Sequence, residues 1–295
     1  MPIKPVNKSE IDRAEIIGGS DIAAVMGLSR WKTPLALWAE KTGRLHNDLG
    51  NFEAAEIGVE LEEYVARKFT KKTGIQLRRD SRSFRHVRFP YMAAHIDRWV
   101  IGQDAVFEGK TCSAWKEKEW AGEDIPVEYV LQVNWYLGIL GKTIGYIAVL
   151  IGGQKFVYKE IDFDQDLFDK QVVAAQNFHE NFVLKDVAPV AMEGDSETLL
   201  SLFPTSVEKT LTFTGSDAEE IDGWIEDRTN GLSVIKDAKA ELEAIEAKLK
   251  QKLGEAEKGE TGKYNFSWRT QSRKEFIVKA TSFRVLTTKQ KKEAV

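Results

Sequence analysis

Near Gln76 the hydrophobic period of the chain changes, and that change restricts the fold more than any other feature of the sequence. Upstream, Ile57, Leu61, Val65 and Phe69 recur four apart, which predicts a helix over 52–73 stopped by Gly74. Two shorter helices precede it. Ser20 stands before an apolar run and Gly27 after it, as an N-cap and a C′ glycine. Thr33-Pro34 then opens 35–42, with Gly43 past the end. Downstream of Gln76, segments 76–88, 91–101 and 105–112 are rich in Val, Ile, Phe, Tyr and Trp, as strands are, with a tight turn at Gly102-Gln103. A helix over 126–140 ends at Gly141, strands over 143–151 and 154–160 meet at Gly152-Gly153, and a helix covers 166–184. The order α–β–β–β–α–β–β–α predicts an α/β (α+β) fold, a mixed sheet flanked by helices.

After Pro204 the character shifts. Ile235, Ala238, Leu242, Ile245 and Leu249 alternate spacings of three and four, a seam like that of a coiled coil. It spans barely three heptads and reads as an intramolecular packing stripe. Short β-like runs follow at 263–269, 275–278 and 283–287. A boundary near 205–215 divides the chain into domains 1–205 and 215–295.

Composition narrows the class. Of 295 residues 42% are hydrophobic, as in globular chains. No apolar stretch nears the roughly 20 residues of a membrane helix, and the first residues lack the apolar core of a signal peptide. The single Cys112 excludes a disulfide framework and a cysteine-based metal site; it reads as a small buried hydrophobe. A soluble, cytoplasmic protein is expected. The net charge of −4 leaves nucleic-acid binding open, because local clusters decide it. Arg78, Arg79, Arg82, Arg85 and Arg88 lie within eleven residues that hold one acid, Asp80. They read either as a charged strand edge or as a phosphate-facing patch.

The chemistry concentrates in two segments, Ala93-Ala94-His95-Ile96-Asp97 and Phe107-Glu108-Gly109-Lys110. An antiparallel pair turning at Gly102-Gln103 sets Asp97 opposite Glu108, with Cβ atoms about 5 Å apart. Lys110 shares the face of Glu108, and Gly109 leaves its carbonyl approachable. Paired carboxylates repel unless a cation lies between them. A hard divalent ion such as Mg²⁺ suits two carboxylates and a carbonyl, with Lys110 beside it to orient or deprotonate a water. By spacing alone, a solvated cross-strand cluster of Asp, Glu and Lys is the commoner outcome. Glu62 lies at the edge of the apolar stripe of its helix, where a carboxylate needs a cation. Gln132 and Tyr136 sit one turn apart on the next helix, with Tyr129 on the same side. His95 shares the face of Asp97 and reads as a hydrogen-bonded structural histidine.

This pattern resembles the PD-(D/E)XK nucleases, and within them the YqaJ-like viral recombinases, the phage lambda exonuclease group. Gly18-Gly19-Ser20-Asp21-Ile22-Ala23-Ala24 and Thr33-Pro34-Leu35-Ala36-Leu37-Trp38 are similar to that group's opening signature. Gly58-Val59-Glu60-Leu61-Glu62 matches its helical Gly-x-x-x-Glu, which selects Glu62. Five motifs occur in order over about 10–185. Two positions depart from the pattern: Ile96 stands where proline is usual, and Arg98 where glycine is frequent.

The resemblance implies a restriction-endonuclease-like fold and a Mg²⁺-dependent (or Mn²⁺-dependent) 5′-to-3′ exonuclease on linear duplex DNA. Such an enzyme releases 5′-mononucleotides and leaves 3′ single-stranded tails for recombination. It assigns Asp97, Glu108 and the Gly109 carbonyl to the metal, with Glu62 completing the site directly or through water. Lys110 and Gln132 become catalytic, and Arg13 and Ser20, seven residues apart, bind the 5′ phosphate. Tyr129 and Tyr136 would contact DNA. It further implies a trimeric or tetrameric ring, a single-strand annealing partner, a phage or prophage origin, and no membrane. A structure-selective endonuclease and a non-catalytic DNA-end binder are the alternatives; a scaffolding role is weakest.

Overall fold

The run Ile144–Ile151 lacks polar alternation, as a strand covered on both faces does. The structure is a computed structural model that describes residues 3–7, 12–45, 52–273 and 284–289. It divides into two compact units, Met1–Phe203 and Pro204–Val295. The first unit holds β1 (Ile3–Asn7), α1 (Gly19–Val25), α2 (Pro34–Lys41), α3 (Phe52–Thr73), β2 (Leu77–Arg79), β3 (Arg82–His86), β4 (Ala93–Ala94), β5 (Arg98–Val100), β6 (Ala105–Cys112), α4 (Val127–Leu140), β7 (Ile144–Ile151), β8 (Lys155–Asp162), α5 (Gln165–Asn177) and α6 (Ser196–Leu202).

Five strands form a mixed sheet in the order β2-β5-β6-β7-β8. β6 and β7 are parallel, joined by a crossover through α4, and the other pairs are antiparallel. Helix α3 covers one face, with Val65, Ala66 and Phe69 packed with Val100, Phe107 and Ala148. Helix α4 covers the other, against Val106, Ile147 and Val149. Its outer side meets α1 and α5, so Leu131 to Leu140 are all buried. Glycine makes that closeness possible: a Cβ on Gly138 would stand 2.2 Å from the Phe168 ring of α5, and one on Gly19 of α1 would stand 2.4 Å from the Tyr136 ring.

The mixed sheet flanked by helices is as the element order predicts; several local expectations are corrected. Segment 76–88 is two strands in different sheets, because β3 pairs with β1 and β4. Segment 91–101 likewise breaks into β4 and β5, with Asp97 in the bend before β5. Gly18, not Ser20, caps α1: the Asp21 carboxylate reaches back to accept from the Gly18 N–H at 3.1 Å. Ile57 is 46% exposed, so the apolar stripe of α3 is buried only in its second half, at Val65 and Phe69.

Arg78 and Arg79 are exposed on the edge strand β2. Arg82 instead forks onto Asp80 at 2.7 and 2.9 Å, and Arg85 approaches Glu15 at 3.5 Å. The Arg82 guanidinium, aided by the Trp99 indole N–H, holds the Asp80 carboxyl well below the usual carboxylate range, against a smaller opposing effect of burial. A depressed carboxyl contributes stability that is present above its ordinary pKa and lost as pH falls through its folded one. Thermal unfolding between about pH 5 and about pH 2 tests this. The melting temperature of Asp80→Asn is expected to fall less steeply with acid than that of the wild type.

The second unit holds α7 (Ser216–Leu253), β9 (Lys258–Glu260) and β10 (Asn265–Ser267), the two strands antiparallel. No residue of α7 is buried. Ile235, Leu242, Ile245 and Leu249 are 51, 56, 47 and 45% exposed, so the seam is not a packing stripe among the described residues. The short hairpin is too small to cover it. The β-like run 275–278 lies outside the described residues, and 284–289 carries no strand.

Candidate active site

Alternation along β6 sorts its side chains. Ala105, Phe107 and Gly109 turn toward α3; Val106, Glu108 and Lys110 turn toward α4. Glu108 is 4% exposed. Its Oε1 accepts from Lys110 Nζ at 2.6 Å and from Gln132 Nε2 at 2.7 Å. Its Oε2 is buried with no hydrogen-bond partner. The second Gln132 amide hydrogen goes to Tyr136 Oη at 2.8 Å, so both donors of this buried amide are fixed.

The turn at Gly102, where φ is +79°, sets the β5–β6 register at Arg98↔Phe107 and Trp99↔Val106. One step further along, Asp97 comes beside Glu108, and its Oδ2 accepts from the Gly109 N–H at 2.8 Å. Burial and the neighbouring Glu108 push the Asp97 carboxyl up to about 8. Burial likewise raises Glu108. Burial acts to lower the Lys110 pKa, but Glu108 and Asp97 outweigh it and the ammonium form is favoured. As a charged donor, Lys110 can orient a water or face a developing negative charge.

Among the described residues no three His, Cys, Asp or Glu side chains converge on one cation position. The donors that do meet, Asp97 and Glu108, are hard oxygen ligands of the kind a divalent cation takes. The orphaned Glu108 Oε2 is an atom such an ion would satisfy. Glu62 is held by Arg98: its Oε1 accepts from Arg98 Nη1 at 2.7 Å, and its charge acts on both Asp97 and Glu108.

A cavity of about 220 Å³ opens beside these groups, lined by Ser20, Trp31, Lys110, Glu128, Tyr129 and Gln132 among others. Tyr129 lies 5.3 Å from Lys110 Nζ and packs between Trp31 and Trp120. Ser20 is exposed in the first turn of α1. Arg13 is exposed outside the cavity wall, and its carbonyl is tied through Lys41 Nζ to Asp21.

Residues 10–143 match the YqaJ-like viral recombinase domain. The Uncharacterized protein YqaJ of Bacillus subtilis (strain 168) is 37% identical over 269 residues, 88% of this chain and 82% of that protein. The chain belongs to the YqaJ-like viral recombinase family. In fold this YqaJ-like chain is similar to an alkaline exonuclease (LHK-Exo) from Laribacter hongkongensis, with a TM-score of 0.51 and 17% identity, over 59% of this chain and 91% of that one. A structure of LHK-Exo in complex with dAMP matches to the same extent.

Every site residue named from the sequence, from Arg13 to Tyr136, lies inside the matched YqaJ-like stretch. The fold joins Asp97, Glu108, Gly109, Lys110 and Gln132 by direct hydrogen bonds and brings Ser20 and Tyr129 to the same cavity. Tyr136 is 3% exposed and its hydroxyl accepts from Gln132, so it backs the site from inside the protein. His95 bonds Ser83 at 2.7 Å, as a structural histidine does. Two features of the site escaped the sequence reading. Trp31, 53% exposed, forms part of the cavity wall, and Arg30 forks onto buried Glu128 at its rim. The run Ser29-Arg30-Trp31-Lys32, an aromatic between cations, was the available signal.

Proposed function

We propose that this protein is a metal-dependent 5′-to-3′ exonuclease on linear double-stranded DNA, releasing 5′-mononucleotides and leaving 3′ single-stranded tails for phage-type recombination. The observation that carries this reading is the buried Glu108, fixed on one oxygen by Lys110 and Gln132 and unpartnered on the other, beside Asp97. A fold shared with an alkaline exonuclease supports it, as does the capture of dAMP by that neighbour. When bound, Mg²⁺ or Mn²⁺ supplies Lewis-acid activation of the scissile phosphate and its attacking water. Asp97, Glu108 and the Gly109 carbonyl would hold the ion.

The chain's own groups do the rest. Lys110 presents its ammonium to the negative charge that builds on the phosphate and orients the water. Gln132, locked by Tyr136, keeps Glu108 Oε1 turned to Lys110 and leaves Oε2 free of protein donors, where an ion would bind. Ser20 and Arg13 take the 5′ phosphate, and Tyr129 bounds the nucleotide in the cavity. The working form is a trimer or tetramer ring in the cytoplasm of a bacterial host, partnered by a single-strand annealing protein.

Linear duplex labelled at either end, with a closed circle beside it, tests the reading in Mg²⁺ and in EDTA. Mononucleotides are expected from 5′ ends of linear DNA only, and only with metal. Cutting of the circle would assign a structure-selective endonuclease instead, and binding without release a DNA-end binder.

A further inference from the structure

Arg98 is the only buried arginine among the described residues, at 4% exposure. A buried guanidinium is costly unless its hydrogens are matched by acceptors, and three of its five N–H groups find them here. Nη1 donates to Glu62 Oε1 at 2.7 Å and to the Asp97 carbonyl at 2.8 Å, and Nη2 donates to Glu63 Oε2 at 2.9 Å. One side chain thus ties helix α3 to the peptide that carries Asp97. Glu62 and Asp97 are close enough for each charge to act on the other, so the guanidinium stands inside the acidic site and not at its rim.

The charges follow from these contacts. Glu62, Glu63, Asp97 and Glu108 bring four carboxylates, and Lys110 and Arg98 bring two cations to them. A second divalent ion would have to displace the Arg98 guanidinium, which already holds Glu62 and Glu63. The same contact accounts for the failure of three carboxylates to converge on one position.

We propose that Arg98 is a resident cation of this site, standing in place of a second divalent ion, so that the site takes a single tightly held ion on Asp97 and Glu108 with Glu62 kept off it. This rests on the metal-binding reading above. Arg98 is a positioning residue: it acts through Glu62 and the Asp97 peptide.

Titration of the full chain with Mn²⁺, following free ion by electron paramagnetic resonance, tests the count directly. Wild type is expected to hold one Mn²⁺ per chain. Arg98→Gln, which removes the charge, is expected to hold two at the same concentration, and Arg98→Lys, which keeps it, one. Two wild-type sites with affinities within about threefold of each other would overturn the proposal whatever the variants do. So would a folded Arg98→Gln, verified by circular dichroism, that still holds one. Glu62→Gln is a second probe that leaves Arg98 in place. It is expected to keep the single ion with affinity within about threefold of wild type, and loss of the ion would make Glu62 a ligand and overturn the proposal. A wild type that binds no Mn²⁺ at all is a different failure, that of the metal reading itself.

Discussion

Lys110→Ala is expected to slow nucleotide release from linear duplex DNA by about 10²–10³-fold, the range for loss of one positioned donor to transition-state charge. The structure places Lys110 Nζ 2.6 Å from Glu108 Oε1 and on the wall of the cavity shared with Ser20 and Gln132. Its ammonium is the one lysine charge on that wall. Truncation leaves Glu108 Oε1 with Gln132 as its remaining donor and removes the cation that would face the phosphate. The loss belongs to the chemical step, so single-turnover rates on 5′-labelled duplex should fall while DNA affinity, read by fluorescence anisotropy in Ca²⁺, stays within about threefold. Lys110→Arg keeps the charge but spreads it over a longer planar group, and an intermediate rate is expected. A Lys110→Ala protein that is folded and cuts at the wild-type rate would remove Lys110 from the mechanism.

Much of this site is readable along the chain because its geometry is local. Asp97 reaches Glu108 through a tight turn whose glycine fixes the strand register, and Lys110 follows Glu108 by strand alternation alone. Gln132 needs one more fact, that α4 lies on the face to which Glu108 turns, and the element order supplies it. What escaped the sequence depends on which group wins a competition in three dimensions. Ser20 has the chemistry of a cap, yet Asp21 reaches the Gly18 N–H first and moves the helix start. Tyr136 has the chemistry of a DNA contact, yet Gly19 lets α1 close over it, and its hydroxyl is spent on Gln132. Arg98 stands where the family pattern has a frequent glycine, which says nothing of an ion pair; its partners, Glu62 and Glu63, are some thirty-five residues away on α3. Segment 76–88 shows the same limit for the fold. Its β-propensity is continuous, but Asp80 takes hydrogen bonds from both the Arg82 N–H and the Trp99 indole, which breaks the strand and sends its halves to different sheets.

Asp97→Asn is expected to make the metal-free protein more stable while removing its response to metal. The Asp97 carboxylate is pushed up by burial and by Glu108, so its charge opposes folding when no cation is bound. Asparagine keeps an oxygen to accept the Gly109 N–H, which the structure places 2.8 Å from Oδ2, and removes the repulsion. A gain of about 1–3 kcal/mol in unfolding free energy without metal is the expected scale. With Mg²⁺ at a hundred times its dissociation constant, binding to the native state alone adds about 2.7 kcal/mol to the wild type. Asp97→Asn lacks that increment, so the order of stabilities reverses or closes when metal is added. Denaturant unfolding of both proteins, with Mg²⁺ and with EDTA, reads the four free energies directly. Equal increments in the two proteins would mean that the ion binds elsewhere, and a destabilised variant in EDTA would mean that Asp97 is held by more than the Gly109 amide. The reversal is what distinguishes a carboxylate kept for an ion from one kept for the fold: a structural carboxylate loses stability when neutralised, with or without metal.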